Sequence, residues 1–192
     1  KPLDGRYDNI KKISDKELIV NTGIEDHRFV SKRAIILATP SAFKSELEVG
    51  DEVIVHHNIF RRYYDMKGRE RNSGCFFKED LYLCSPDQIY LYKKDDQYET
   101  HLDYCFVKPI LNKSDLSLDI EEPLMGIVKY SNNSLEAKGI TPGALITFKP
   151  DSEFEFHVGE ERLYCMKSNN IVIEHEHQGD EEEHNPSWAS SG

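Results

Sequence analysis

Short apolar runs broken by polar turns fill the chain almost from end to end. KELIV (16–20), AIILA (34–38), EVIVHH (52–57), CFF (75–77), LYL (81–83) and IYLY (89–92) concentrate β-branched and aromatic residues over strand lengths. Between the first two lies NTGIEDHRFVSKR (21–33), a polar stretch whose apolar residues are Ile24, Phe29 and Val30. SAFKSELEVGD (41–51) turns the chain at Gly50-Asp51. IFRRYYDMKGRERNSG (59–74) has the form of a hairpin with Lys67-Gly68 near its tip, and Ser85-Pro86-Asp87 marks a turn. After the charged connector KKDDQYETH (93–101) the order starts again. YCFVKPI (104–110) leads to the polar loop LNKSDLSLDIEE (111–122), LMGIVKY (124–130), SNNSLEAKGITPG (131–143) and ALITF (144–148). A hairpin around PDSEFEFHVGEE, then LYCM (163–166), the turn KSNN and IVIEHE (171–176) complete it. No long helical period interrupts these runs. The pattern predicts an all-β protein, a barrel or sandwich of short strands, and closing a small sheet into a barrel would remove its edges.

The second pass repeats the first. EDLYLCSPDQIYL (79–91) aligns without a gap on ERLYCMKSNNIVI (161–173), and VGDEVIV (49–55) aligns on PGALITF (142–148). The lower match is offset by 82 residues and the upper by 93, so the first copy holds 11 more residues between them. A duplication of this size predicts two similar small units, 1–98 and 99–176, followed by an acidic tail, 177–192.

Composition narrows the classes. The chain has 192 residues, of which 38 % are hydrophobic and 31 % charged. Two units of about 90 residues each can bury only thin cores, so close packing of the halves or oligomerisation would help. The net charge is −11, of which Glu174, Glu176, Asp180, Glu181, Glu182 and Glu183 contribute −6 with no Lys or Arg after Lys167. That balance argues against a general nucleic-acid binder. Cys75, Cys84, Cys105 and Cys165 form no C-x-x-C pair and read as free thiols of a reducing cytoplasm. No apolar run of about 18 residues offers a membrane span, and KPLDGRYDNIKK lacks an apolar signal core. No phosphate-binding glycine loop and no G-x-S-x-G turn is present, so a non-enzymatic role without cofactor is expected.

The order of motifs resembles the GroES-type co-chaperonins. YCFVKPI followed by a polar loop, then MGIVKY, PGALITF and GEERLYCMKSNNIVIEHE, matches that family's strand order over 104–176. The first half matches over about 16–92, most clearly at VGDEVIV and EDLYLCSPDQIYL. The resemblance implies two tandem GroES-like β-barrels. It also implies a non-catalytic co-chaperonin that caps a GroEL-like chaperonin ring, assists folding and assembles as a homo-oligomeric ring in the cytoplasm, or in a host cytoplasm if phage-encoded. Each unit's grip would be a mobile loop with a few apolar anchors: Leu116, Leu118 and Ile120 in 111–122, and Ile24, Phe29 and Val30 in 21–33. Such a loop is too polar to pack on its own barrel, and ring symmetry multiplies weak contacts. The alternation of Leu116, Leu118 and Ile120 is equally that of a strand packed on its barrel.

The chain departs from the family in lacking a Gly-Gly before the anchors and an evident roof hairpin. The 59–74 hairpin instead carries Arg61, Arg62, Tyr63 and Tyr64, a basic and aromatic combination suited to nucleic acid or to an acidic partner. His175-x-His177 would put two imidazoles on one strand face, but a solvated terminus explains them, and no metal site is expected. The rival reading is a phage virion or assembly protein that reuses the barrel as a ring-forming module.

Overall fold

The computed structural model describes residues 1–13, 16–19, 21–42, 45–112, 121–159, 161–176, 179 and 181. The fold is all-β, with a single one-turn α-helix among the described residues. The chain divides into two compact units, Lys1–Gln97 and Tyr98–Gly192.

The first unit contains β1 (Ile10–Ile13), β2 (Lys16–Ile19), β3 (Arg33–Ile35), β4 (Glu52–Val55), β5 (Arg62–Tyr64), β6 (Glu70–Asn72), β7 (Phe76–Lys78), β8 (Leu81–Tyr82) and β9 (Ile89–Lys94), and the boundary falls in β10 (Gln97–Thr100). Its main sheet has the order β10-β9-β4-β3, and β1-β2, β5-β6 and β7-β8 are separate antiparallel pairs. Val30, Ala34, Leu47, Val53, Val55, Ile59, Phe60 and Ile89 form its core.

The second unit contains β11 (Tyr104–Leu111), β12 (Glu121–Tyr130), α1 (Asn133–Glu136), β13 (Leu145–Phe148), β14 (Phe154–Val158), β15 (Glu161–Lys167) and β16 (Ile171–His175). These strands form one sheet, β14-β15-β11-β12-β13-β16. Cys105, Val107, Val128, Leu135, Ile140, Ile146, Phe148 and Met166 form its core.

The two units share one register. Glu52↔Lys93, Val53↔Tyr92 and Ile54↔Leu91 in the first become Leu145↔His175, Ile146↔Glu174 and Thr147↔Ile173 in the second. Each pair moves by the offsets 93 and 82 read from the sequence. On the other side, Ala34 opposite Val53 corresponds to Gly126 opposite Ile146. The turn before each central strand is also repeated. Gly50 N–H donates to the Ile36 carbonyl at 2.8 Å, and Gly143 N–H to the Val128 carbonyl at 2.8 Å. These glycines have φ of +102° and +95°, which L side chains rarely adopt. Gly126 answers a different need: a Cβ there would meet the Lys108 carbonyl oxygen at 2.4 Å, so it lets β11 and β12 approach.

The repeat extends beyond the segments matched in sequence. Pro2 bridges Ala34 and Pro109 pairs with Gly126, so Lys1-Pro2-Leu3 stands where Lys108-Pro109-Ile110 stands.

Neither main sheet closes into a barrel among the described residues. In the second unit β14 and β16 are outer strands that do not pair with each other. Charged and polar residues on them, including Glu155, His157 and Glu174, suit an open edge and discourage intermolecular pairing.

A buried polar staple holds α1. The Asn132 side-chain oxygen caps the helix by accepting from Leu135 N–H at 3.0 Å. Its Nδ2 donates to the Tyr104 carbonyl at 2.8 Å and to Ser168 Oγ at 2.6 Å, and Ser168 Oγ donates to the Asp103 carbonyl at 2.9 Å.

Candidate functional site

Each unit has a two-stranded ladder that opens at one end into an excursion. In the first unit the ladder joins residues 1–8 to 29–35. Leu3 N–H donates to Arg33 O at 3.1 Å, Ser31 N–H to Arg6 O at 3.0 Å and Asp8 N–H to Phe29 O at 2.8 Å. In the second unit it is β11 with β12, ending at Leu111↔Glu121. The first excursion, 9–28, contains the β1–β2 hairpin, in register Ile10↔Ile19 and Lys11↔Leu18. Ile10, Leu18 and Ile19 are 52 %, 53 % and 61 % exposed. Burying the exposed half of one such side chain against a partner would yield about 1 kcal/mol.

Both necks are pinned. Tyr7 Oη donates to the Ile24 carbonyl at 2.6 Å, Asn9 Nδ2 to the Asn21 carbonyl at 3.0 Å and Asn21 Nδ2 to Asp26 Oδ2 at 2.9 Å. Under the second neck lies Arg162, buried, its Nη1 2.8 Å from Glu121 Oε2 and its Nε 2.8 Å from Glu155 Oε2. Tyr164 Oη donates to the same Glu121 oxygen at 3.0 Å, and burial followed by that bond raises the phenol's pKa. A buried guanidinium shared by two carboxylates fixes where β12 starts.

The anchors read from the sequence are placed unevenly. Val30 is a correction: at 1 % exposure it belongs to the core and bridges Tyr7, so it is not presented to a partner. Phe29 is half-buried with the Arg28 guanidinium 5.8 Å from its ring centre, and Ile24 is half-buried with its carbonyl engaged by Tyr7. Leu116, Leu118 and Ile120 lie outside the described residues. Among the described residues, the exposed large apolar side chains of the first excursion are Ile10, Leu18 and Ile19. KELIV has strand composition, and periodicity does not distinguish a core strand from a projecting one. The available signal was that Ile10–Ile13 and Lys16–Ile19 are runs too short and too charged to build a core.

The 59–74 hairpin meets the first excursion. Tyr64 N–H donates to Glu25 Oε1 at 3.1 Å, Arg62 N–H donates to Tyr7 Oη at 2.9 Å, and the Arg62 guanidinium lies 4.9 Å from the Tyr7 ring centre. Arg62 pairs with Glu70 at 2.7 Å and Arg71 with Asp65 at 3.1 Å. Asp65 also accepts from Arg69 and Lys67 N–H, both at 2.9 Å, and these bonds lower its pKa. Arg61, Lys67 and Arg69 enter no ion pair among the described residues. Tyr63 and Tyr64 are exposed. Beside the hairpin sits a histidine cluster absent from the sequence reading. His57 lies 4.4 Å from His56 and 5.3 Å from His27, measured between ring centres. Desolvation, then His56, His27, Lys32 and Arg61, lowers the His57 pKa to about 4, so its imidazole is neutral at neutral pH.

Other chemistry is sparse. No group of three metal-ligating side chains is assembled among the described residues, and His175 Nε2 lies 2.7 Å from Thr147 Oγ1. The Cys105 thiol is buried and its pKa is pushed up to about 12. No helix among the described residues is long and apolar enough to cross a membrane. No family model, curated protein or solved structure matches this chain.

Proposed function

We propose that the chain is a tandem co-chaperonin: a non-catalytic homo-oligomeric cap whose units are opened GroES-like barrels and whose excursions grip the rim of a GroEL-like chaperonin ring in the cytoplasm. The observation that carries this reading is the exposed apolar patch of Ile10, Leu18 and Ile19 just beyond a pinned neck, on an excursion that leaves the same end of the ladder as 112–120 does in the second unit. An apolar patch held in place by the neck beside it suits a hydrophobic groove on a partner, because little ordering is left to accomplish on binding. Single contacts of this size are weak, and two excursions per chain multiplied by a ring supply avidity. The 59–74 hairpin braces the first neck through Tyr7 and Glu25, which accounts for Arg62 and Tyr64 without nucleic acid.

The test is co-sedimentation of the purified chain with a GroEL-type ring, with and without ATP, together with electron microscopy of the complex. The reading expects nucleotide-dependent binding and density on the ring's open end. A chain that assembles into closed rings of its own and ignores the chaperonin would replace this reading with that of an assembly module.

A further inference from the structure

The first unit contains an apolar groove of about 340 Å³, and the internal repeat shows what fills the equivalent place in the second unit. Val53 and Val55 line the groove where Ile146 and Phe148 stand, Tyr82 and Cys84 where Tyr164 and Met166 stand, and Ile36 and Ile89 where Val128 and Ile171 stand. In the second unit those six residues pack around Cys105 and Val107 of β11, both fully buried. The sheet orders agree. β14-β15-β11-β12-β13-β16 becomes β7-β8, then β3-β4-β9 with β10 added beyond β9, and with nothing in the place of Tyr104–Val107 between β8 and β3 among the described residues. β15 pairs with β11 through Cys105↔Met166 and Val107↔Tyr164. The equivalent edge, at Tyr82 and Cys84, faces the groove. Leu37 and Leu83 line it with 49 % and 69 % exposure, whereas the counterpart of Leu83, Cys165, is buried.

We propose that this groove is a strand-acceptor site, completed by an extended segment of the Tyr104–Val107 kind joined to the amino end of Lys1. Its apolar side chains would take the positions of Cys105 and Val107, and its backbone would tie β8 to β3 in one continuous sheet. The repeat sets the point of attachment. Tyr104–Val107 runs into Lys108-Pro109 with no loop between, and Lys1-Pro2 occupies the same register against Ala34. A joined strand therefore costs neither loop closure nor association entropy. The Tyr104–Val107 strand of a second copy is not free to be lent, because its Cys105, Phe106 and Val107 are fully buried.

Cys84 is the reporter. It is exposed at the groove, its counterpart Met166 is buried, and partial desolvation raises its thiol pKa, so labelling is run at about pH 9. The chain would be compared with a version carrying Asp-Tyr-Val-Phe-Val ahead of Lys1 and with one carrying Asp-Gly-Ser-Gly-Ser, with Cys84→Ser identifying the signal. The joined apolar strand is expected to slow Cys84 labelling at least tenfold and to raise Tm, and the polar extension to do neither. Unchanged labelling with the apolar extension, or equal protection by the polar one, overturns the proposal. On the unextended chain, the free peptide Asp-Tyr-Val-Phe-Val is expected to protect Cys84 only at millimolar concentration. Protection at micromolar concentration would assign the groove to a strand supplied by another molecule and overturn the covalent assignment.

Discussion

Val55 pairs with Ile89 one step past a register shift in the β4–β9 ladder, and Phe148 pairs with Ile171 past the same shift in β13–β16. An irregularity kept at the same place in both units, beside identical turn hydrogen bonds, identifies a duplicated structural unit. A bulge costs ladder pairing and re-aims the strand, so its recurrence marks a shared solution to the same bend.

The turn glycines should be intolerant of any side chain. Gly143→Ala places a Cβ at φ +95°, and Gly50→Ala does the same at +102°. Each is expected to cost about 1–3 kcal/mol in urea denaturation.

The repeat was legible because strand pairing depends on local apolar positions and turn glycines, which the chain preserves in both copies. Barrel closure was not legible, because edge strands and paired strands have the same composition. The Lys1-Pro2-Leu3 and Lys108-Pro109-Ile110 correspondence was present in the sequence, but three residues carry too little periodicity to stand out. Val30 was misplaced for a similar reason. Apart from Phe29 its surroundings in the chain are polar, and the ladder to Tyr7 turns it inward.

Asn132 should matter more than its place in a polar segment suggests. Asn132→Ala removes the side-chain bonds to Leu135 N–H, the Tyr104 carbonyl and Ser168 Oγ. The expected loss is about 2–3 kcal/mol, read from thermal or urea unfolding. A loss under about 0.5 kcal/mol would mean that water replaces the staple.

Arg162→Met should destabilise the second neck by about 3–5 kcal/mol, because Glu121 and Glu155 lose the cation they share. Hydrogen exchange would report this locally, with faster exchange at the start of β12 than at β13.

Stability should fall with acidity through the histidine cluster. His57 takes up a proton near pH 6.5 when unfolded but only near pH 4 when folded, so the unfolded chain binds more protons between these values. Stability present above pH 6.5 is therefore lost as pH falls toward 4. Discounted for the half-exposed ring, the change is about 1–2 kcal/mol. Urea midpoints at pH 7.5 and 4.5 would check this, with His57→Gln narrowing the difference relative to the native chain.

The central claim is tested most directly by the double variant Leu18→Ser, Ile19→Ser in the ATP-dependent co-sedimentation assay, with Tm measured in parallel. Both side chains are more than half exposed, so Tm should stay within about 2 °C of the native chain while chaperonin binding falls at least tenfold. Undiminished binding by a folded double variant would contradict the account.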